Sequence, residues 1–171
     1  KPRTIRPGRP EDAAGLAAIE NGAILHGFAH FGEEPLEVSE VLDRLTDPDR
    51  VHPWFTAWDD EVVGFARASV YRTRRAYRWT TEVGVYIDPS RQGQGIGKLL
   101  YASLLPALQA AGYRTILAGI ARPNEASERL HAAFGFELTG VLPRVGFKQG
   151  EWRDVGWWAV TFGEGPPDTS Q

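Results

Sequence analysis

Apolar positions along this chain switch between a two-residue rhythm and a three-to-four-residue rhythm, and the switches mark out the elements. Residues 4–6 read as a short strand. Pro10-Glu11-Asp12 opens a helix, since proline suits the first turn and acids suit its positive end. Leu16, Ala17 and Ile19 form its buried side, with Gly22 as its stop. A second helix covers residues 37–45, where Val38, Val41, Leu42 and Leu45 fall at i, i+3, i+4 and i+7. Strands follow: Trp54–Trp58, a turn at Asp59-Asp60, then residues 62–71 as a hairpin, and residues 79–87 stopped by Asp88-Pro89. Ile96, Leu99, Leu100, Leu104, Leu108 and Ala111 describe one face of a long helix closed by Gly112. Thr115–Ala121 reads as a buried strand, and Asn124 caps a helix running to Phe134 with Gly135 at its end. Residues 136–141 and 154–162 are two strands around a turn at Lys148-Gln149-Gly150-Glu151.

The resulting order, β-α-α-β-β-β-α-β-α-β-β, predicts an α+β fold. Its sheet is mixed and mostly antiparallel, flanked by helices, with one central β-α-β crossover. Residues 1–162 are expected to form a single domain, and the Gly/Pro/Ser-containing residues 163–171 a flexible tail.

Composition narrows the function. The chain has 171 residues, 42% of them hydrophobic, enough for one core. Nineteen Lys+Arg against 22 Asp+Glu leave a net charge of −3, the wrong sign for a nucleic-acid coat or an anionic-membrane binder. Without cysteine there is no thiol nucleophile and no Cys-based metal site. No apolar run approaches the roughly 20 residues of a membrane span. Residues 1–9 are basic without an apolar core, so they do not read as a signal peptide, and a cytoplasmic location is expected.

Candidate chemistry concentrates where the strand ending Val85-Tyr86-Ile87 runs through Asp88-Pro89-Ser90-Arg91 into Gln92-Gly93-Gln94-Gly95-Ile96-Gly97-Lys98 and a helix. Three alternating glycines let backbone N–H groups converge at a helix N-terminus, an arrangement suited to phosphate. The same glycines also make a tight turn without any ligand. The dinucleotide pattern G-x-G-x-x-G fails because the third glycine comes one residue early. A Walker A loop fails because Gln92 stands where a glycine is required and Leu99 where Ser or Thr is.

The loop at residues 92–97 resembles the Gln/Arg-x-x-Gly-x-Gly/Ala pyrophosphate loop of the GNAT superfamily of N-acetyltransferases. Residues 124–136 are similar to that superfamily's second motif, an Asn-led helix ending in Phe-Gly-Phe. Residues 76–86, Pro123-Asn124, Arg129-Leu130-His131 and residues 146–158 resemble the phosphinothricin N-acetyltransferase family, which acetylates amino-acid analogues such as phosphinothricin and methionine sulfoximine. The resemblance implies a GNAT fold, acetyl-CoA as co-substrate, no metal, a small-molecule amine acceptor, and a homodimer. The aromatic C-terminal strand, from Trp157-Trp158 to Phe162, offers one apolar interface for the last. Other acceptors (a protein N-terminus, an aminoglycoside, a polyamine) and a non-catalytic acyl-CoA-binding module are the alternatives.

Roles follow for particular residues. A carboxylate at Glu82, amid a Trp/Thr/Val/Tyr strand, is either half of a structural ion pair or a general base that deprotonates the attacking ammonium. In the resembled family the matching Glu is the base. His131, two turns after Asn124, reads as a packed histidine or as an acid or base near neutral pH; the resemblance implies that it stands where the family protonates departing CoA thiolate. Which of the two takes the first proton stays open. The resemblance places the pantetheine arm against the backbone of Val85, Tyr86 and Ile87, with an N–H there polarising the thioester carbonyl. It also implies cofactor contacts from Gln92, Gly93, Gln94, Gly95, Ile96, Gly97, Lys98, Asn124 and Ser127.

Arg72, Arg74, Arg75 and Arg78 form a basic-aromatic patch with Tyr71, Tyr77 and Trp79. It reads as a solvated face, a nucleic-acid strip, or a clamp for an anionic substrate group; the acidic balance counts against nucleic acid. By resemblance Arg72 and Arg74 contact substrate, together with Phe31, Glu82, Val83 and Gly84. Phe31 closes a segment, residues 25–31, that departs from the family's Thr-rich one. His26 and His30, four apart, have metal-ligand spacing only if one helix carries both.

Overall fold

Each change of rhythm becomes a change of element in the computed structural model, which describes residues 3–48 and 52–170. Lys1 and Gln171, the outer ends of the expected domain and tail, lie outside those residues. Chain order is β1 (Thr4–Pro7), α1 (Ala13–His26), α2 (Val38–Thr46), β2 (Trp54–Trp58), β3 (Val62–Val70) and β4 (Thr80–Ile87). Then come α3 (Ile96–Ala110), β5 (Thr115–Ala121), α4 (Glu125–Ala133), β6 (Glu137–Lys148) and β7 (Glu151–Thr161). Among the described residues these strands form one seven-stranded sheet ordered β1-β2-β3-β4-β5-β7-β6. Every neighbouring pair is antiparallel except β4–β5. That parallel pair needs a return crossover the length of the sheet, which α3 provides with 15 residues.

Helices cover both faces. Leu100, Tyr101, Leu104 and Leu108 of α3 are fully buried against Ala66, Val83 and Ile116 of the sheet. On the opposite face Leu16 and Ala17 of α1 and Val41 of α2 pack on Trp54 and Phe65. β3 therefore buries Phe65 on one side and Ala66 on the other, as an interior strand covered twice must.

Several local expectations are corrected. α1 does not stop at Gly22 but continues to His26, because Ile24 still belongs to its buried face; Gly27 caps it, donating its N–H to the Ala23 carbonyl at 3.1 Å. Of the α2 stripe only Val41 and Leu45 are buried, while Val38 and Leu42 stay exposed. Leu99 faces outward on α3, and Ala111, the exposed residue that caps it, lies beyond its end. The buried stripe instead follows the i, i+4 row Ile96, Leu100, Leu104, Leu108, flanked by Tyr101 and Leu105. β6 and β7 run longer than expected because the Lys148–Glu151 pair closes a tight hairpin. Gln149 (φ 52°) and Gly150 (φ 74°) give it the left-handed backbone a two-residue turn needs. The strand carrying Trp157 and Trp158 lies between β5 and β6, so it is interior and presents no free edge. Residues 163–170 have no regular secondary structure, and the Arg114 guanidinium donates to the carbonyls of Phe162, Glu164 and Gly165.

A buried carboxylate fastens α1 to the sheet. Glu20 stands one turn after Leu16 and one before Ile24, and is 2% exposed. Arg67 of β3 grips both its oxygens at 2.6 Å, and His30 Nε2 lies 3.1 Å from one of them. Burial raises the Glu20 carboxyl, but the His30 and Arg67 hydrogen bonds and the Arg67 charge outweigh it and hold it at about 2.

Because this folded-state value is depressed, its stabilisation is full above the ordinary 4.5 and is lost as pH falls through about 2. A shift of that size corresponds to about 3 kcal/mol. Glu20→Gln, which leaves Arg67 buried without its counter-charge, is expected to destabilise by about 3–5 kcal/mol at pH 7. Urea denaturation from pH 7 to pH 2 checks both statements: the gap between variant and wild type should close as the pH falls.

Candidate active site

The site begins where the parallel pair fails. β4 and β5 are in register only from Thr80 to Glu82 against Thr115 to Leu117. Beyond that point β4 stays with β3 as far as Ile87, and β5 stays with β7 as far as Ala121. The two strands therefore part, leaving a wedge between residues 83–86 and 118–121. It holds a cavity of about 80 Å³, closed on the helical side by Asn124, Ser127 and His131.

A second, larger cavity of about 350 Å³ continues from this wedge, sharing Val85, Asn124 and Ser127 with it. Its floor is the glycine loop, with Gln92, Gly93, Gly95, Ile96, Gly97 and Lys98 all lining it beside Ile87. Gly93 (φ 75°) and Gly95 (φ 76°) sit in the left-handed region, which turns the chain into α3, whose first residues line the cavity. A Cβ on Gly97 would lie 3.0 Å from Leu130 Cδ2, so this glycine lets α3 and α4 approach. Asp88 stiffens the loop's entrance, accepting from the Ser90 N–H at 2.8 Å and the Ser90 hydroxyl at 2.7 Å. Arg91 also lines the cavity, but its guanidinium donates to Asp59 at 3.1 Å. Gln94 turns away and accepts from Arg3 at 2.5 Å, lining neither cavity.

His131 is 2% exposed and committed at both nitrogens. Nδ1 lies 2.7 Å from the Ser127 carbonyl, which only accepts, so Nδ1 carries the proton. Nε2 then accepts from the Tyr101 hydroxyl at 2.8 Å. Burial lowers the His131 pKa against the raising effect of the Ser127 carbonyl, and burial pushes the Tyr101 hydroxyl well up. The imidazole is neutral, with no unshared proton.

On the opposite face of the wedge a third cavity, of about 350 Å³, is lined mainly by apolar groups: Phe31, Leu142, Val145, Val155 and Trp157. Glu82 and Tyr86 project into it from β4. Among the described residues no cation pairs with the Glu82 carboxylate, so the ion-pair alternative is not realised. Burial alone raises its pKa.

One wall of the cavity, residues 27–36, has no helix or strand but is well anchored. Besides the His30–Glu20 contact, Asn21 exchanges two hydrogen bonds with Leu36, at 2.7 and 2.9 Å. Buried Lys148 donates to the carbonyls of Ile24, at 2.7 Å, and Gly32. Arg153 lies 4.1 Å over the Phe28 ring. The ring of Phe31 rests where a Gly146 side chain would be, with Cε2 only 2.4 Å from that Cβ position.

Residues expected at the site thus divide. Glu82, Phe31 and Tyr86 meet at the third cavity; Val83, Gly84, Val85, Asn124, Ser127 and His131 meet at the wedge. Arg72 and Arg74 stand exposed on the β3–β4 connection and line none of these cavities. Arg72 lies over Tyr71, whose ring meets Trp157 edge-on at 6.3 Å. His26 ends α1 and His30 follows in the loop, so the two share no helix. No cluster of three or more His, Cys, Asp or Glu able to hold a metal occurs among the described residues. Nor is any helix among them long and apolar enough to cross a membrane. Sequence reasoning missed Glu20, Arg67, Lys148 and Tyr101; for Glu20 the signal was a carboxylate on the i, i+4 row between Leu16 and Ile24.

Sheet order, splayed parallel pair and glycine-loop helix together define a GNAT fold. The model of the acetyltransferase (GNAT) family matches residues 19–136. A phosphinothricin N-acetyltransferase of Streptomyces coelicolor is 41% identical, over 90% of this chain and 93% of its own. The L-methionine sulfoximine/L-methionine sulfone acetyltransferase of Salmonella typhimurium is 32% identical, over 89% and 90%. Among solved structures, a phosphinothricin acetyltransferase from Sinorhizobium meliloti in complex with acetyl-CoA superposes with a TM-score of 0.92 at 34% identity, covering 98% of this chain and 94% of that one. The chain belongs to the GNAT acetyltransferase family and is an N-acetyltransferase.

Two outcomes follow from this geometry. Nitrogen-15 spectra of the His131 ring should show the neutral Nδ1–H tautomer predominating from pH 6.5 to 8; a mainly protonated ring at pH 6.5 would contradict the network. Gly146→Ala should displace Phe31 and raise the acceptor KM several-fold while leaving the acetyl-CoA KM within twofold, as steady-state kinetics with each substrate varied will show.

Proposed function

We propose that this enzyme transfers the acetyl group of acetyl-CoA to the amine of a small amino-acid-like acceptor, of the phosphinothricin or methionine sulfoximine type, by direct attack. The observation that carries the reading is an unpaired, half-buried Glu82 in the wall of an acceptor cavity of about 350 Å³ that adjoins the wedge, a volume suited to a small molecule. The relatives named above act, by their names, on such amines, and one of them was solved with acetyl-CoA.

In this reading the first amides of α3 and the glycine loop hold the pyrophosphate, with Lys98 supplying charge. The pantetheine arm lies in the wedge along Val85, between β4 and the α4 residues Asn124 and Ser127. An ammonium cannot attack a thioester, so Glu82 takes its proton, directly or through water. The free amine forms a C–N bond to the carbonyl carbon, the oxygen becomes an oxyanion held by a β4 amide, and collapse expels CoA thiolate as the nitrogen gives its second proton to solvent. Glu82 rather than His131 is the first proton acceptor, because only Glu82 has unshared lone pairs facing the cavity. Neutral His131 positions the wedge wall, and the thiolate takes its proton from solvent. Arg72 and Arg74 act through their field on an anionic acceptor's approach rather than by contact.

A cytoplasmic setting, where acetyl-CoA is available, and a homodimer belong to the same proposal. β6 is the sheet's outer strand, and its hairpin with β7 exposes Leu138, Val145, Phe147 and Trp152, an apolar surface suited to a second copy.

The test is acetyl-CoA consumption against a panel of amino-acid analogues. Glu82→Gln should lower kcat/KM by about 10²–10⁴-fold. Because the base must be ionised, wild-type kcat/KM should climb as pH rises through the Glu82 pKa, which burial places above the ordinary 4.5. Glu82→Gln should lack that limb; undiminished turnover in the variant would remove Glu82 from the mechanism.

A further inference from the structure

Glu82, Gly84 and Tyr86 are alternate residues of β4 and share one face of the strand. Because Gly84 has no side chain, the Tyr86 ring can lean back along the strand toward Glu82. A Cβ at Gly84 would lie 3.3 Å from Tyr86 Cε2 and 3.6 Å from its hydroxyl oxygen. The ring is held on its other sides by Phe65, with centroids 5.2 Å apart, by His30 at 5.6 Å and by the Arg67 guanidinium at 5.5 Å. Its hydroxyl is different. Among the described residues it makes no hydrogen bond, and Tyr86 lines both the wedge and the third cavity.

Among the described residues only four line both the wedge and the acceptor cavity: Ala29, Tyr86, Gly119 and Ala121. Of these, Tyr86 alone carries a side-chain hydrogen-bond donor. In the proposed reaction the acetyl group has to sit at that junction, within reach of the cofactor arm on one side and the amine on the other. We propose that the Tyr86 hydroxyl is a catalytic residue, a second donor to the thioester oxygen, complementing the strand amide.

This rests on the acetyl-transfer reading above and adds a residue to it. As the amine nitrogen bonds to the carbonyl carbon, the C=O π electrons move to oxygen, and Tyr86 O–H donates a hydrogen bond to the resulting oxyanion without surrendering its proton. When the C=O re-forms and the C–S bond breaks, that bond weakens again; the first of the amine's two lost protons remains with Glu82 and the second leaves the nitrogen for solvent. Burial raises the Tyr86 pKa against the lowering influence of Arg67, so the phenol stays a donor throughout the neutral range. Arg67 is itself gripped by Glu20, which fixes the cage that aims the ring.

The experiment compares wild type, Tyr86→Phe, Gly84→Ala and the double variant in steady state, with acetyl-CoA and the acceptor each varied. Tyr86→Phe keeps the ring and should lower kcat tenfold or more, with the acetyl-CoA KM within twofold and the melting temperature unchanged. Gly84→Ala, by pushing the ring aside, should lower kcat in the wild-type background but not further in the Tyr86→Phe background. Unchanged kcat in Tyr86→Phe, or a loss that tracks loss of folded protein, would overturn the role of the hydroxyl and leave the acetyltransferase reading standing. Absence of wild-type turnover on every amine would overturn both.

Discussion

A parallel strand pair that stops after three residues is the constraint on which the rest of this molecule turns. β4 and β5 pair only as far as Glu82 and Leu117; beyond them β4 stays with β3 and β5 with β7 on their far edges, and the two edges that face each other part, leaving a gap. In the interior of a sheet such a gap leaves backbone polar groups without partners, which is costly unless something polar fills it. An extended amide-bearing arm meets that need, and the glycine loop lies at the far end of the gap where a phosphate would follow. On this view the unpaired stretch of β4 is the cofactor's share of the sheet.

The acceptor side is built by different means. Residues 27–36 form an irregular wall whose rigidity comes from buried polar anchors: Glu20 with Arg67 and His30, Asn21 with Leu36, and Lys148 with two carbonyls. All three are satisfied together only when α1, β3 and the β6–β7 hairpin are in place. Such networks contribute less to net stability than to a single arrangement of the groups they hold. Here they fix the cage around Tyr86 and the seat of Phe31, so the cavity is organised before any acceptor arrives.

Element order was legible in the sequence because strand and helix periods alternate cleanly, and glycines or prolines stand at nearly every boundary. The glycine loop and the Asn124 helix were legible for the same reason, as local backbone chemistry. What escaped was non-local. Nothing in the spacing of Leu99 tells which side of α3 meets the sheet, and Gly22 resembles a stop although the apolar row continues to Ile24. The Glu20–Arg67 pair joins residues 47 apart, and Tyr101 finds His131 across 30. A histidine with both nitrogens engaged and one with a free proton look alike in a sequence. The arginines before Glu82 illustrate the converse: their position along the chain points to the substrate, yet the β3–β4 connection carries them out of the cavity.

Hydrogen exchange with and without coenzyme A tests the central claim most directly. If the cofactor completes the splayed pair, residues 83–87 and 93–98 should gain protection together, while the β6–β7 hairpin keeps its free-state exchange. Binding that protects the glycine loop but leaves residues 83–87 exchanging as in the free protein would contradict it.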